Sequence, residues 1–439
     1  MIRAGLLGLL LAATAVPAAA QTIAITNGII AKGDGSDPEQ GGTVVIRDGR
    51  IVAAGVGVSV PAGAQVIDAR GKWVTPGIVA GFSRLGLAEV DLGAPGSDDT
   101  NAASGPFNAA IDVTPAINPL ATTIAVSRAD GITRAIVAPA IPRSIFAGQG
   151  AVIDTGADMN PVTSARRFQF VELGEAGAGA AGGSRASAHV LFRNALREAV
   201  ELARSPTRIY SPDARRSEDV LLTRFDAAAL VPVLQGRQYL LVHVERASDI
   251  LQVLGLRREF PGLKLVLVGV TEGWMVAGDI AAAGVPVIAS AVNDLPSSFE
   301  QLAATQSNVG RMHGAGVRVS IGLINDNDTR FMFAGRQYAG NLVALSRLPG
   351  ATGLSWGEAL KTITSAPAEA IGLGGDFGSL APGRRGDVVI WSGDPLESSS
   401  AAETVFIDGV RQPLETHQSK LRDRYRTLER NTLPEAYRH

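Results

Sequence analysis

The sequence predicts an α/β protein, a (β/α)8 TIM-type barrel with a small β-sandwich domain built from both chain ends. Short apolar runs alternate with amphipathic segments over roughly 300 central residues, as strands alternate with helices in such a barrel. Both chain ends instead carry short β segments separated by turns. The 439 residues, 46% of them hydrophobic, suffice for one large barrel with an appended domain.

The first residues of the chain have the pattern of a secretory signal peptide. Arg3 supplies a positive charge, an apolar run extends from Leu6 to Val16, and small residues lead to Ala20. The apolar run is shorter than the roughly 20 residues that a transmembrane helix needs. We therefore expect export to the periplasm, cleavage after Ala20, and a soluble mature chain of 439 − 20 = 419 residues.

Composition narrows the classes of function. The formal net charge of −2 and the pI near 6.3 argue against a nucleic-acid partner, which would require a basic surface. The chain has no cysteine, so a large core and not disulfides must stabilise it in an oxidising compartment. The same absence removes thiolates from the possible metal ligands and nucleophiles.

Turn signals and composition shifts divide the chain. Asp48-Gly49 lies between apolar runs near the N-terminus and Asp408-Gly409 does so near the other end, and Asp-Gly in that setting is a strong hairpin signal. We expect the two β-rich ends to meet in one small domain. The predicted divisions are a signal peptide at 1–20, β domain segments at 21–75 and 376–412, a barrel at 76–375, and a helical tail at 413–439.

Five apolar runs inside the barrel region are of the kind buried on both faces of a sheet: GITRAIVAP, QYLLVHVE, LKLVLVGV, VPVIAS and VRVSIGL. Two other segments look like insertions. Gly86 to Asn118 is rich in Gly, Pro, Ser, Asp and Asn, and Gly174 to Ala188 is low-complexity. We expect flexible loops at both, with a role as lids over the catalytic face as the alternative.

Several motifs together resemble the amidohydrolase superfamily, specifically its imidazolonepropionase-like periplasmic branch. The opening carries ITNG, DGRI and VIDARG before Pro76-Gly77, and the exit from the barrel reads EALKTITSAPAEAIGLGGDFGSLAPGRRGDVVIWSGDPL. The resemblance covers essentially the whole mature chain. It implies a hydrolase of non-peptide carbon–nitrogen bonds, in amides or cyclic amides, with one or two divalent metals such as zinc that activate a bound water.

The resemblance also locates the metal ligands of such an enzyme, and this sequence departs from them. The His-x-His pair expected after Pro76-Gly77 is replaced by Phe82 and Arg84. Phenylalanine has no ligand atom, and a guanidinium only donates hydrogen bonds. The fifth-strand histidine is retained as His243, but no histidine occurs near Val268 to Val270, where the sixth-strand ligand belongs.

The remaining ligand positions also differ from the family pattern. The eighth-strand aspartate falls at Ile324 or Asn325, with Asp326 and Asp328 near enough to replace it. No lysine occurs between Lys72 and Lys264, which excludes a carboxylated-lysine bridge, whereas a bridging glutamate stays open. We therefore expect no metal cofactor, because a catalytic metal usually takes at least three protein ligands.

The candidate catalytic residues are His243, Glu245, Asp326 and Asp328. His243 is a metal ligand, a general base, or a relic held by hydrogen bonds in the barrel mouth. Glu245 either orients a ligand or acts as a base, or else is a carboxylate that faces water at a strand end. The other histidines, predicted at helix ends, on the surface or in the charged tail, are His189, His313, His417 and His439.

The candidate binding residues are Arg84, Glu272 and Trp274. Glu272 has the same alternatives as Glu245, and Trp274 either lines a pocket or packs in the core. Arg84 either extends into solvent or points into the mouth as a stand-in for the metal charge. In the second case we expect it within hydrogen-bond reach of a carboxylate among Glu245, Glu272, Asp326 and Asp328.

Two main functions are compatible with this sequence. One is a degenerate, metal-free family member that binds a small-molecule ligand or forms a homo- or hetero-oligomer with another amidohydrolase-like chain. The other is an active hydrolase with a site rebuilt around His243, Glu245, Asp326 and Asp328. A solute-binding role in the former substrate pocket is a third possibility, and neither a nucleic acid nor a membrane is an expected partner.

Overall fold

The computed structural model describes residues 22–89, 96–141, 143–204, 221–324, 329 and 331–426. The predicted signal peptide at 1–20 and the end of the predicted tail lie outside these residues. The described strands form two sheets of eight strands each, one from the chain ends and one from the central region. In the described part of the chain, no helix is long and apolar enough to cross a membrane.

The first sheet joins the two ends of the chain. Its strands are β1 Thr22–Ile30, β2 Glu39–Arg47, β3 Arg50–Gly55, β4 Gln65–Asp68, β5 Trp73–Pro76, β14 Val388–Trp391, β15 Ala402–Ile407 and β16 Val410–Arg411. In spatial order, β16, β15 and β14 from the C-terminal side continue into β5, β1, β2 and β3, and β4 pairs with β1. Apolar side chains from both chain ends form a separate hydrophobic core for this sheet around Ile25, Ile46 and Phe406.

The union of the two chain ends in one β unit is confirmed. Its strands are connected by hydrogen bonds into one sheet, and β14 pairs antiparallel with β5 from Val388↔Pro76 to Trp391↔Trp73. The sandwich form of this unit stays a prediction.

The second sheet is the barrel wall, and its eight strands neighbour each other in chain order. They are β6 Ile78–Ser83, β7 Ile132–Val137, β8 Phe146–Asp154, β9 Val162–Glu172, β10 Tyr239–Val244, β11 Lys264–Gly269, β12 Val287–Ser290 and β13 Val319–Gly322. The five predicted apolar runs are the strands β7, β10, β11, β12 and β13. Their parallel pairing puts their carboxyl ends on one face of the barrel, which we call the mouth.

One part of the strict (β/α)8 prediction is wrong. The strand β8 runs antiparallel to both β7 and β9, so these three strands are joined without intervening helices. The segment Phe146–Asp154 is buried along its whole length, and an apolar run of this kind does not reveal its direction. The direction of a strand depends on the connection to its neighbour, because antiparallel neighbours can be joined by a short turn and parallel neighbours cannot.

The barrel nearly closes between its first and last strands. Leu323 donates a backbone hydrogen bond to Phe82 across this seam at 3.4 Å. A Cβ on Gly81 would lie 2.4 Å from the carbonyl oxygen of Ile321, and a Cβ on Gly322 would lie 2.8 Å from the Cβ of Phe82. Glycine at both positions therefore permits the close approach of β6 and β13.

The helices cover the outside of the barrel wall and bury the outward-facing apolar side chains of the strands, except for the last helix, in which no residue is buried. They are α1 Thr122–Ala129, α2 Glu175–Ala180, α3 Arg185–Arg204, α4 Arg224–Leu234, α5 Ala247–Glu259, α6 Ala277–Ala283, α7 Asn308–Gly314, α8 Ala334–Leu345, α9 Trp356–Thr362, α10 Ser365–Ala370 and α11 His417–Tyr425.

The expected flexible loop at Gly174 to Ala188 is wrong for most of its length. The helix α2 covers Glu175–Ala180, and α3 already begins at Arg185. Alanine favours helix strongly, and Gly177 is buried so close to the backbone of Glu172 that no side chain fits there. Close packing therefore explains Gly177, whereas Gly179, Gly182 and Gly183 are exposed with open space around them.

Candidate functional site

Strand register places two titratable side chains together at the mouth. Side chains alternate between the two faces of a strand, so Phe168, Phe170 and Glu172 share the inner face of β9. Leu241 and His243 share the inner face of β10 by the same rule, and both phenylalanines belong with Leu241 to the core inside the barrel. The two strands are parallel with Glu172 opposite His243. At the mouth, the apolar core inside the barrel is thus followed by the side chains of Glu172 and His243.

His243 lies between two carboxylates. Its Nδ1 is 2.6 Å from Glu172 Oε2, and its Nε2 is 3.0 Å from Glu245 Oε1. All three side chains are buried. Burial opposes protonation of the imidazole, but the two carboxylates outweigh it and hold the pKa of His243 well above its ordinary value. His243 is therefore an imidazolium that donates from both nitrogens.

Glu245 is fixed by the neighbouring strand end. Its Oε2 accepts a hydrogen bond from the backbone N–H of Thr271 at 2.7 Å, while Oε1 faces His243. Burial raises its pKa, but the hydrogen bonds to His243 and Thr271 outweigh burial and lower it overall. Gly269 makes room for the pair, because a Cβ there would lie 2.6 Å from Glu245 Oε1. We call Glu172, His243 and Glu245 the mouth cluster.

Arg84 approaches the mouth cluster from the first strand. Its guanidinium carbon lies 5.7 Å from the ring centroid of Phe82, whose side chain is buried. Burial lowers the pKa of Arg84, and the charges of Glu172 and Asp98 oppose that shift. Glu172 and Asp98 are carboxylates that the sequence analysis did not name as partners of Arg84. The predicted contact between Arg84 and a carboxylate among Glu245, Glu272, Asp326 and Asp328 stays a prediction.

The described residues at the mouth do not fit the metal that the resemblance implies. A metal ligand needs an unprotonated nitrogen or a free carboxylate oxygen, and both nitrogens of His243 face carboxylates. The sixth-strand region offers buried Val268 and Val270, neither of which has a ligand atom. Across the described residues, no group of three or more His, Asp or Glu side chains is arranged to hold a metal ion.

Glu272 and Trp274 lie after β11, but both are engaged in holding loops together. Glu272 accepts hydrogen bonds from the backbone N–H of Ala247 at 3.0 Å and of Ala303 at 3.0 Å, one on each oxygen. Trp274 donates from Nε1 to the carbonyl oxygen of Ala303 at 2.9 Å, and the guanidinium of Arg311 lies over its ring at 4.6 Å. The described contacts of both residues are structural, and their predicted role in ligand binding stays a prediction.

Two of the predicted catalytic residues, Asp326 and Asp328, fall outside the described residues. The strand that precedes them ends at Gly322, and Leu323 and Ile324 follow it as buried residues. Of the remaining histidines, His189 and His313 lie on α3 and α7, and His417 begins α11.

Glu172 is the functional residue that sequence reasoning missed. It ends the apolar run FQFVE just as Glu245 follows the run LLVHV, so a search for carboxylates at strand ends would have found it. The exclusion of lysine had left a glutamate after the fourth strand open, and Glu172 ends the fourth strand of the barrel wall. It holds a histidine in this structure instead of bridging two metals.

Comparison with families and curated proteins places this site in context. A model of the amidohydrolase family matches residues 269–414. An amidohydrolase named tasK from Hapsidospora irregularis is 25% identical over 383 residues, which cover 80% of this chain but only 38% of that protein. An imidazolonepropionase from Acidiphilium cryptum (strain JF-5) is 25% identical over 382 residues, which cover 82% of this chain and 88% of that protein.

A solved structure shares the fold. An amidohydrolase from Thermotoga maritima MSB8 superposes with a TM-score of 0.76 at 24% identity, covering 89% of this chain and 99% of that one. The match includes both the barrel and the unit formed by the chain ends, since it spans nearly the whole of both chains.

Proposed function

Because this chain belongs to the amidohydrolase superfamily, as an imidazolonepropionase-like member, we propose that its barrel mouth binds a small-molecule ligand without metal-assisted hydrolysis of carbon–nitrogen bonds. The family chemistry requires a metal ion with an open position for water. The side chains at the mouth of this barrel form a hydrogen-bonded ion cluster in the corresponding place.

The observation that carries this proposal is the engagement of both nitrogens of His243. A histidine that donates to Glu172 and to Glu245 has no lone pair to offer a cation. The carboxylates of Glu172 and Glu245 already lie against the imidazolium of His243, so the cluster has a cation of its own at the place where the family would use a metal ion.

Metal analysis tests the proposal directly. We expect mature protein purified without chelator to carry far less than stoichiometric zinc, manganese or iron. We also expect added zinc to leave its thermal transition unchanged, since a ligand that binds only the folded state would raise it. Stoichiometric metal that survives dialysis would contradict the proposal and favour the rebuilt hydrolase.

The second candidate is a hydrolase that uses the mouth cluster for acid–base chemistry. It is favoured by the 2.6 Å contact between His243 and Glu172, which resembles the contact between a base and the carboxylate that orients it. Hydrolysis of an amide and cyclic-amide panel by chelator-treated protein, abolished by His243→Gln, would support this candidate. No turnover above the level of His243→Gln is the result expected from our proposal.

We also propose where the protein is located, which residues form its barrel and how it associates. The charged, apolar and small-residue pattern of residues 1–20 supports export to the periplasm. We also propose a barrel spanning 76–375 that associates with another amidohydrolase-like chain or a second copy. An intact mass that matches cleavage after Ala20 tests export, and the molar mass of the protein in solution tests association.

A further inference from the structure

We propose that residues 291–307 form a strap that closes the barrel mouth over the mouth cluster, with Glu300 as its clasp. The inference rests on the proposed function, since the strap would control ligand access to that same site. The strap follows β12 and leads into α7, and its middle contains a short 3-10 helix at Phe299–Gln301.

The path of the strap follows from one set of contacts and the strand order. Glu300 Oε2 accepts a hydrogen bond from the backbone N–H of Glu175 at 2.6 Å and another from Arg185 Nη2 at 3.0 Å. Glu175 lies just after β9, whereas the strap begins after β12, and β10 and β11 lie between those strands. The strap must therefore cross above the ends of β10 and β11, where His243 and Glu245 are buried.

Glu300 and Gln301 are buried in the middle of the strap, whereas the apolar side chains on either side of them are exposed. Glu300 is only 6% exposed, whereas Phe299 is 81% and Leu302 is 66% exposed. A Cβ on Gly174 would lie 2.7 Å from Glu300 Oε2, so a glycine is needed for this close approach. Arg185 is held in turn by Asp249 at 2.7 Å, which keeps its guanidinium directed at the strap.

A second attachment fixes the other half of the strap. The backbone N–H of Ala303 donates to Glu272 and its carbonyl oxygen accepts from Trp274, so both residues after β11 hold the same strap residue. Two more hydrogen bonds attach the strap near its ends, from Asn293 Nδ2 to Thr271 Oγ1 at 3.4 Å and from the backbone N–H of Thr352 to Ser307 Oγ at 2.9 Å. The large apolar side chains Leu295, Phe299 and Leu302 of the strap are exposed. A segment with few buried apolar contacts opens at a lower free energy than the strands beneath it.

The absence of cysteine from the chain allows a direct test of opening. Ser290→Cys places a thiol at the end of β12 beneath the strap, where the native side chain is 8% exposed. Ser320→Cys places one inside the neighbouring strand β13 at a position that is 1% exposed, as a reporter of global unfolding. Each reporter is combined with Glu300→Gln or with the control Glu397→Gln, which changes an exposed glutamate in the β14–β15 connection. The rate of labelling by a soluble disulfide reagent is then measured.

We expect Glu300→Gln to accelerate labelling at position 290 about tenfold or more, with no change at position 320 and no effect of the control, because charge-assisted bonds of the clasp are lost. Equal acceleration at both positions would mean general destabilisation and would overturn the strap. Unchanged labelling at position 290 would overturn it as well. Metal content is a separate measurement, so bound metal would contradict the proposed function and leave the labelling result standing.

Discussion

This molecule contains two clusters of buried charged side chains, one at the junction between the barrel and the sheet of the chain ends and one at the mouth, and the two use different cations. At the junction of the barrel with the sheet of the chain ends, Arg134 of β7 is fully buried and binds Asp387 through two hydrogen bonds of 2.7 and 2.9 Å. Asp408 and Asp154 lie at 3.0 and 3.5 Å from the same guanidinium. At the mouth, the cation between the carboxylates is the imidazole of His243.

The difference lies in which cation each cluster uses. Burial would lower the pKa of Arg134, but Asp387 and the other two carboxylates raise it, so this cation stays charged at every relevant pH. The planar guanidinium of Arg134 matches the two oxygens of a carboxylate, and its bonds to Asp387 join residues that lie 253 positions apart in the chain. His243 instead titrates, and its partners belong to the same barrel wall. The junction cluster is permanent scaffolding, whereas the mouth cluster depends on pH.

The largest expected effect is at the junction. Arg134→Met leaves the carboxylates around it without their buried cation, and we expect the free energy of unfolding to fall by about 4–5 kcal/mol. Chemical denaturation monitored by circular dichroism measures this loss. Arg50→Gln is the matched control, because its ion pair with Asp376 is largely exposed and its loss should cost about 1 kcal/mol or less. Comparable losses in the two variants would contradict the scaffolding role.

The mouth cluster is expected to contribute less. Glu172→Ala removes the carboxylate that lies 2.6 Å from Nδ1 of the buried His243, and we expect the free energy of unfolding to fall by about 3 kcal/mol. The same denaturation experiment at pH 6 measures it. Asp226→Ala, which also removes a buried carboxylate but one bonded to backbone N–H groups and not to His243, shows whether the loss is specific to the imidazolium. Only the loss in Glu172→Ala should shrink as the pH rises.

That pH dependence has a definite sign. The pKa of His243 is raised in the folded state above the ordinary value of 6.5, so folding takes up a proton that the unfolded chain releases. The contribution is complete below about pH 6.5 and is lost as the pH rises through the folded-state value. We expect the stability of the native protein to fall at alkaline pH, and that of His243→Gln to fall less. Parallel curves for the two proteins would show that His243 is not the titrating group.

Arg84 tests whether a cation substitutes for the missing metal charge. Arg84→Ala removes a positive charge that acts on Glu172 and Asp98, and we expect a loss of about 1–3 kcal/mol in the free energy of unfolding. Arg84→Lys should recover part of it, since the charge is kept and the planar fork is lost. Unchanged thermal stability in the alanine variant would refute this role.

The smallest effect is expected from partial restoration of the family ligands. Phe82→His combined with Arg84→His returns the first pair only, so we expect weak zinc binding by calorimetry and no useful hydrolysis of amides. The single variant Phe82→His serves as the control for a mere change in packing. Robust hydrolysis by the double variant would show that the rest of the site is already present.

Much of this architecture was predictable because it depends on local patterns. The family resemblance located His243, and the strand-end positions of His243 and Glu245 made both candidates. The resemblance in the opening and exit motifs is confirmed by the family comparisons. The antiparallel course of β8 was not predictable, since direction depends on connections and not on composition. Glu172 was missed because its partner lies 71 residues away, and only strand register brings the two together.

The sequence by itself determined the chemical identities at the expected ligand positions. Phe82 and Arg84 have no atom to give a metal, and no lysine lies between Lys72 and Lys264, whatever the fold. Only the tertiary structure decided how the retained His243 is used. Its charge depends on burial and on two carboxylates brought to it by strand pairing, and neither desolvation nor pairing between distant strands is written in a local pattern of residues.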